Sequence, residues 1–200
     1  MEHLILARHG ESALSVSGTM NGDPRVACPL TERGREQARK LGAALAGGEI
    51  DLCVTSEFER ARETADLALA GRDLPRLVLP ELNDIRVGDY EGKPLMDYRA
   101  WARAQPPDMD APGGGESRAA TVSRYIRGYR TILGRPERVA LVVAHGLPIR
   151  YVLNAAAGDD PAPVLEQVPY AKPYRLSRAE LERALARLSD WAQAPRWASA

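Results

Sequence analysis

Three short apolar runs, at residues 3–7, 51–55 and 139–144, constrain the fold more than any other feature of the sequence. Each run is followed by polar residues or glycine and then by a helical pattern, which is typical of a parallel α/β sheet. The runs are almost continuously hydrophobic, as in strands that are covered on both faces. A weaker fourth run covers Arg76–Leu79. We therefore predict a three-layer α/β/α sandwich with a mainly parallel central sheet.

Capping residues predict where the helices begin and end. Thr31 is a predicted N-cap, and the helix that follows it ends before Gly47-Gly48. Residues 56–59 and 177–180 both have the Ser-x-x-Glu spacing of a capping box, which predicts a helix after each. Two further predicted helices cover residues 122–133 and 148–158. The chain has 200 residues, so we predict one domain over residues 1–200, with a loosely patterned excursion at 93–116.

Composition excludes several classes of protein. Lys plus Arg and Asp plus Glu number 27 each, so the basic excess of a nucleic-acid binder is absent and we expect no such partner. No stretch approaches the roughly 20 apolar residues of a membrane span. The N-terminus leads directly into a predicted strand and shows no signal peptide, which favours the cytoplasm. Cys28 and Cys53 match no metal or redox spacing, and we interpret Cys53 as a core residue.

Two of the three histidines have the same local setting. His9 and His145 each follow a predicted buried strand and precede a glycine and a helix. The carboxyl ends of parallel strands meet at one edge of the sheet, where ligands bind in open α/β folds. One histidine of this kind would be interpreted as structural, but a matched pair indicates a site. A zinc site requires further ligands at suitable spacing, which the sequence lacks, so we expect neither a metal nor a cofactor.

Arginines accompany these histidines. Arg8 precedes His9, and Arg60 lies near the predicted start of the helix after the second strand, where the helix dipole also favours anions. Guanidinium groups match phosphate oxygens bidentately, so the set predicts a phosphate site. Arg62 lies on a different helical face and is interpreted as a solvated charge.

Six ordered segments resemble the histidine phosphatase superfamily, which includes cofactor-dependent phosphoglycerate mutases and related phosphatases. RHGE matches the signature of the family; PLTERGREQA, SEFERARETA and the stretch around Asp84 are similar to its later segments. Together they span residues 4 to about 157 in the order of the family. The matching segments are 8–11, 29–38, 56–65, 82–92, 114–117 and 143–146.

The resemblance implies a phosphoglycerate mutase-like fold and a mechanism. His9 would attack phosphorus and form a phosphohistidine, while Arg8, Arg60 and His145 would surround the phosphoryl oxygens. His9 must be neutral to attack, and a phosphate-bound His145 is expected to be cationic. Asp84 would donate the proton, although the family usually has Glu at this position. Glu81 is the alternative donor, with a poorer offset.

The residues that contact substrate are predicted less directly. We expect substrate contacts from Ser15, where many members carry Asn, and from Asn21, Gly22, Gly146 and Leu147. The excursion at 93–116 is expected to act as a lid over the active site. Its side chains would bind a second anionic group or an aromatic moiety, or simply form an amphipathic helix; those concerned are Lys93, Tyr98, Arg99, Trp101 and Arg103.

These observations favour a phosphomonoesterase acting on a small phosphorylated metabolite. The shorter excursion compared with the mutases favours water as the phosphoryl acceptor. Three alternatives remain: a phosphoglycerate mutase-type transferase, a phosphoprotein phosphatase, and a phospholigand-binding module with little turnover. Trp191 and Trp197 are either a homodimer contact or without a role in assembly.

Overall fold

The computed structural model describes residues 1–197 and contains a five-stranded sheet. The strand order is β3-β2-β4-β1-β5, and the first four strands run parallel while β5 is antiparallel to β1. The mainly parallel sheet predicted from the sequence is therefore confirmed. The strands are β1 (His3–Arg8), β2 (Leu52–Thr55), β3 (Arg76–Val78), β4 (Val139–Ala144) and β5 (Pro173–Ser177).

Strand β5 is the one element of the sheet that the sequence did not predict. It begins at Pro173 and pairs only along β1, from His3–Ser177 to Ala7–Pro173. Proline has no N–H to donate, which suits an edge position in the sheet. Of its five residues only Leu176 is buried, so the continuous apolar signal of the other strands is missing.

Seven α-helices flank the sheet. Two short 3₁₀ helices, Pro80–Leu82 and Gly88–Tyr90, lie between β3 and the fourth helix. The helices are α1 (Ala13–Val16), α2 (Glu32–Ala44), α3 (Glu59–Ala68), α4 (Leu95–Ala104), α5 (Arg118–Leu133), α6 (Gly146–Ala157) and α7 (Arg178–Gln193).

The capping predictions are confirmed for two helices and wrong for one. Thr31 Oγ1 accepts from Gly34 N at 3.0 Å, and the reciprocal Ser177–Glu180 capping box is formed. Helix α3, however, begins at Glu59 with Phe58 as its N-cap, three residues beyond the predicted start. Ser56 is not a cap, because its hydroxyl bonds the ring of His145 instead.

Each face of the sheet carries its own core. Side chains that alternate along β1 and β4 pack on one face against α5, α6 and α7, and on the other face against α2 and α3. Burial on both faces explains the continuous apolar runs, and it completes the predicted three-layer arrangement.

A third, smaller apolar cluster anchors the excursion at 93–116. Tyr98 and Ala102 of α4 pack against Ile85, Val87 and other side chains beside the 3₁₀ helices. The loop after α4 closes tightly beneath Gly88, which has φ +56°; a Cβ there would lie 1.9 Å from the carbonyl oxygen of Pro112. Glycine therefore permits this contact where other residues would clash.

The C-terminal tryptophans pack within the chain. Trp191 is buried, and its ring lies 6.0 Å from that of Trp197, centroid to centroid. The indole N–H of Trp197 donates to the carbonyl of Gln105 at 2.8 Å. Intramolecular packing thus accounts for both side chains, and a homodimer remains a prediction without a structural argument at this position.

Candidate active site

A cavity of about 390 Å³ opens at the carboxyl ends of the parallel strands. Arg8 and His9 follow from β1, Gly146 begins the helix after β4, and Arg60 reaches in from α3. The sequence argument placed these residues at one edge of the sheet, and the parallel pairing of β1, β4 and β2 brings them together.

His9 is oriented by a contact with its own backbone neighbour. Its Nδ1 lies 2.7 Å from the carbonyl oxygen of Gly10, which can only accept, so Nδ1 carries the proton. The lone pair of Nε2 then accepts from Nε of Arg60 at 3.2 Å. The ring is only 3% exposed and lines the cavity. The atom available to attack an electrophile is therefore Nε2.

Arg60 is the hub of the polar network. It is 4% exposed, and its guanidinium donates to Nε2 of His9 and to the side-chain and main-chain oxygens of Asn21. Its Nη2 also lies 3.3 Å from Nδ1 of His145 and 3.8 Å from the Asp84 carboxylate. This buried, fixed cation is well placed to stabilise an anion near His9.

His145 lies behind Arg60 and is fully buried; it does not belong to the cavity surface. Its Nε2 lies 2.8 Å from Ser56 Oγ, and its ring centroid is 5.3 Å from that of His9. Since Arg60 can only donate to Nδ1, the proton of His145 sits on Nε2 and is donated to Ser56. Ser56 thus fixes the tautomer of His145, a role that its position in the sequence motif did not reveal.

Electrostatics keep both histidines neutral. Burial, together with the positive charges of Arg60 and Arg8, holds the pKa of His9 well below its usual value. The pKa of His145 is lowered in the same way, by burial first and then by Arg60. The protein alone therefore favours neutral His9, as nucleophilic attack requires. The cationic His145 expected from the sequence would depend on the negative charge of a bound phosphate.

Arg8 borders the other side of His9. Its Nη1 donates to the carbonyl of Val168 at 2.9 Å, and its guanidinium lies 4.1 Å from the ring centroid of Tyr170. Its buried Nε has no hydrogen-bond partner among the described residues. Arg8 therefore keeps donor capacity for an anion in the cavity.

Asp84 and Glu81, the two predicted proton donors, occupy different places. Asp84 lines the cavity, and its carboxylate lies 3.7 Å from Nδ1 of His145. Glu81 lies in the first 3₁₀ helix and packs against Gly128 of α5, away from the cavity. The geometry thus favours Asp84.

A buried ion pair holds the loop that carries Asp84. Glu116 accepts from Arg124 at 2.8 and 2.9 Å and from the backbone N–H of Arg86 at 3.0 Å. Burial would raise the pKa of Glu116, but these bonds outweigh it and the pKa is lowered. Arg124 also donates to the carbonyls of Asn83 and Asp84. The GES segment therefore positions the loop on either side of Asp84.

Gly10 and Thr64 support the backbone of the site. Thr64 Oγ1 accepts from Gly10 N at 2.9 Å and donates to the carbonyl of Arg60 at 2.6 Å. One hydroxyl thus connects the two segments that carry His9 and Arg60. A Cβ on Gly10 would lie 2.5 Å from the carbonyl oxygen of Gly34, so close packing requires glycine here.

The predicted substrate-contact residues are placed unequally. Asn21, Gly146 and Leu147 line the cavity, and Asn21 also holds Arg60. Ser15 lines it too, but its hydroxyl accepts from Ser12 N and donates to Ser12 O, both at 2.8 Å. Gly22 does not line the cavity, because its N–H is turned to Glu91.

The predicted lid supplies one wall of the cavity through α4. Tyr98, Arg99 and Arg103 line it, whereas Trp101 packs into the third apolar cluster and Lys93 lies near the ring of Tyr90. Residues 105–116 are not among the lining residues.

Several lining residues were not predicted from the sequence. Segment 163–170 forms the wall opposite α4, and Arg118 and Arg150 project from α5 and α6. Cys28 also lines the cavity, although its spacing gave no functional signal. Cys53 is a core residue as predicted, and burial raises the pKa of its thiol to about 11.

Within residues 1–197, no group of three or more His, Cys, Asp or Glu side chains could hold a metal ion. In the same part of the chain, no helix has both the length and the apolar character needed to cross a membrane.

Comparison with known proteins gives the family. The model of the histidine phosphatase superfamily (branch 1) matches residues 4–193. The chain belongs to this superfamily. This membership confirms the family and the phosphoglycerate mutase-like fold that the ordered motifs implied.

Relatives within the family have different activities. An adenosylcobalamin/alpha-ribazole phosphatase of Salmonella typhimurium is 42% identical over 106 residues, which are 49% of this chain and 52% of that protein. The chain thus spans about half the length of this relative. A 2,3-bisphosphoglycerate-dependent phosphoglycerate mutase of Methylobacterium is 38% identical over 78% of this chain and 80% of its own length. The crystal structure of the alpha-ribazole phosphatase from Shigella flexneri superposes with a TM-score of 0.73, at 30% identity, covering 86% of this chain and 89% of that one.

Proposed function

We propose that this protein is a metal-independent phosphomonoesterase that hydrolyses a small phosphorylated metabolite through a phosphohistidine on His9. The observation that carries the proposal is the neutral imidazole of His9, whose Nε2 lone pair faces a cavity between Arg8 and Arg60. An anionic phosphate would bind these two cations, and its phosphorus would then lie next to the nucleophile.

The first step transfers the phosphoryl group to the enzyme. Nε2 of His9 forms a bond to phosphorus while the ester P–O bond breaks, and protonated Asp84 gives its proton to the departing oxygen. Asp84 is suited to this task because it lines the cavity and its carboxylate lies within 4 Å of both Arg60 and His145.

The second step releases phosphate. A water molecule gives its proton to the Asp84 carboxylate and attacks phosphorus, the N–P bond breaks, and His9 and Asp84 return to their starting states. His145 supports both steps by holding Arg60. A direct contact between His145 and the phosphate, which the sequence predicts, requires the Nη2 group of Arg60 to move aside.

The test is phosphate release from an aryl phosphate with a chelator present, comparing wild type, His9→Ala and His3→Ala. His3 is an exposed histidine at the start of β1, so it is a matched control. We expect turnover to survive chelation and His3→Ala, and to fall by about 10⁴-fold or more in His9→Ala. A 1:1 phosphoenzyme trapped in acid and missing in His9→Ala would identify the intermediate. Undiminished turnover in His9→Ala would refute the proposal.

Mutase activity is the second candidate, because a phosphoglycerate mutase is 38% identical over most of both chains. In a mutase, the phosphoryl group returns to a substrate hydroxyl instead of to water. Following ³²P from a labelled ester separates the two outcomes: free phosphate supports hydrolysis, and label retained on organic product supports transfer. If the ester binds and neither product forms, the phospholigand-binding alternative is favoured. The cytoplasmic location remains a prediction.

A further inference from the structure

The cavity has more positive charge than one phosphate group requires. Six arginines and two carboxylates line it, which leaves a net of four positive charges when the histidines are neutral. A phosphate monoester dianion neutralises two of them. The lining arginines are Arg8, Arg60, Arg99, Arg103, Arg118 and Arg150; the carboxylates are Asp84 and Glu166.

The two carboxylates are already close to other arginines. Asp84 lies 3.8 Å from Arg60, and Glu166 lies 3.5 Å from Arg150. Over residues 1–197, Arg99 and Arg118 have no carboxylate oxygen within 4.0 Å. These two cations therefore lack a protein counter-ion, and both face the cavity.

Arg118 has only neutral neighbours in the structure. One Nη donates to the hydroxyl of Tyr151 at 3.1 Å, and its guanidinium carbon lies 5.7 Å from the ring centroid of Tyr98. Its Nε is inaccessible to solvent and has no hydrogen-bond partner among the described residues. A role limited to joining α5 and α6 would use the Tyr151 contact alone, and it would leave the remaining donors unexplained.

Arg99 brings a second positive charge from the opposite wall. It lies on α4, four residues before Arg103, so both arginines are on the face of the helix that lines the cavity. Burial, and then the positive charges of Arg118 and Arg8, lower the pKa of Arg99. These like charges are crowded together, and an anion bound between them would relieve the repulsion.

We propose that Arg99 and Arg118 form a second anion subsite, so that the preferred substrate is a phosphate monoester that also carries a carboxylate or a second phosphate. The inference rests on the proposed function and makes its substrate class more specific. Arg8 and Arg60 bind the phosphate that reacts, and the second subsite binds the distal group and sets the orientation of the ester. Each charged hydrogen bond of this kind contributes about 1.5–3 kcal/mol, or roughly 10–100-fold in kcat/KM.

The experiment compares esters that differ by one charge. The phosphate esters of 3-hydroxypropanoate, 4-hydroxybutanoate and 5-hydroxypentanoate are each paired with the corresponding primary amide, which has a similar size and no charge. The three lengths cover different separations of the two anions. Butane-1,4-diol bisphosphate, paired with its monophosphate, distinguishes a phosphate from a carboxylate as the second group. The readout is the ratio of kcat/KM for the charged ester to that for its neutral partner.

In the wild-type enzyme we expect at least one charged ester to exceed its neutral partner by ~10–100-fold. Arg118→Met and Arg99→Met should each reduce this ratio by at least roughly 10-fold. Arg127→Met is the matched control, because Arg127 is an exposed arginine on the same helix as Arg118 and its loss changes the net charge equally. Arg99 is exposed on α4, so Arg99→Met also serves if Arg118→Met does not fold.

Three results would overturn the inference: no preference for a charged partner at any length, an unchanged ratio in both arginine variants, or an equal change in Arg127→Met. Binding of the same ester pairs to His9→Ala, measured by calorimetry, provides a readout that does not depend on turnover. If turnover is absent but His9→Ala still prefers the charged esters through Arg99 and Arg118, the subsite stands and the proposed function fails. Turnover of all esters without a preference gives the reverse result.

Discussion

The two ends of the cavity are built differently. At the inner end, His9 and Arg60 are 3% and 4% exposed and are connected by hydrogen bonds through His145, Asn21 and further buried groups. At the outer end, Met96 of α4 and Val164 of the opposite segment are 65% and 56% exposed. We call these regions the inner wall (Arg8, His9, Asn21, Arg60, Asp84, with His145 behind) and the outer wall (α4 and residues 163–170).

This difference separates two tasks. Groups that stabilise a transition state must already be oriented before the reaction, and burial with dense hydrogen bonding fixes them. Groups that select a substrate can be exposed and mobile, because they act on binding. The inner wall is therefore expected to set kcat for any phosphate ester, and the outer wall to set KM and the choice of ester. The predictions below test this division, from the largest expected effect to the smallest.

Asp84→Asn tests the proton donor of the inner wall. Asn cannot donate a proton to the departing oxygen, so kcat should fall by about 10²–10⁴-fold for an alkyl phosphate. An ester with a good leaving group, such as 4-nitrophenyl phosphate, needs little protonation and should be affected much less. Steady-state kinetics on both esters measures this contrast.

Glu81→Gln is the matched control, because Glu81 lies outside the cavity in the first 3₁₀ helix. It should leave kcat near the wild-type value for both esters. A larger loss in Glu81→Gln than in Asp84→Asn would reverse the assignment of the donor.

Arg60→Met tests the hub of the inner wall. Loss of one preorganised cation should lower kcat by about 10²–10³-fold, whichever ester is used. Arg62→Met, which removes an exposed arginine from the same helix, is the control and should change kcat little. If Arg60→Met raised KM alone, Arg60 would serve ground-state binding rather than the transition state.

The division between the walls also explains what could be predicted from the sequence. Arg8, His9 and His145 directly follow continuous apolar strands, and parallel pairing brings such positions to one edge, so their proximity followed from the pattern. Ser56 was misassigned as a helix cap, because a Ser-x-x-Glu spacing carries a local signal whereas its bond to His145 crosses 89 positions of the chain.

The outer wall and β5 lacked such signals. Segment 163–170 has no regular secondary structure, and the sequence gives no register that would place it opposite α4. Arg118 lies on α5 like any exposed helical arginine, and only the packing of Tyr98 and Tyr151 around it distinguishes it. Strand β5 lies at an exposed sheet edge and begins with proline, so the hydrophobic pattern that identified the other strands is absent.

The burial of the inner wall should appear in the pH dependence of stability. The pKa values of His9 and His145 lie well below 6.5 in the folded protein, whereas both side chains titrate near 6.5 in the unfolded chain. Below pH 6.5 the unfolded chain therefore binds protons that the folded protein does not. The free energy of unfolding should fall as the pH decreases from 6.5, by up to about 1.4 kcal/mol per pH unit for each histidine.

Urea unfolding at several pH values between 7.5 and 5 measures this slope above the range in which most carboxylates titrate. The slope should be roughly halved in His9→Gln, since one of the two buried histidines then remains. It should be retained in His3→Gln, which removes the exposed histidine. Stability that is constant between pH 7.5 and 5 would show that the inner wall accepts protons as readily as the unfolded chain.

Replacing the apolar side chains of the outer wall should have the smallest effect. Met96 and Val164 line the cavity but are mostly exposed, so Met96→Ser and Val164→Ser each remove only a small apolar contact with a bound ester. A loss of about 1 kcal/mol, or roughly 5-fold, is expected in the ratio of kcat/KM for 2-naphthyl phosphate to that for phenyl phosphate. The change should fall on KM, because the contact is the same in the ground and transition states. A decrease in kcat close to that of Arg60→Met would mean that the outer wall helps to orient the reacting groups, and the two walls would then have to be treated as one preorganised unit.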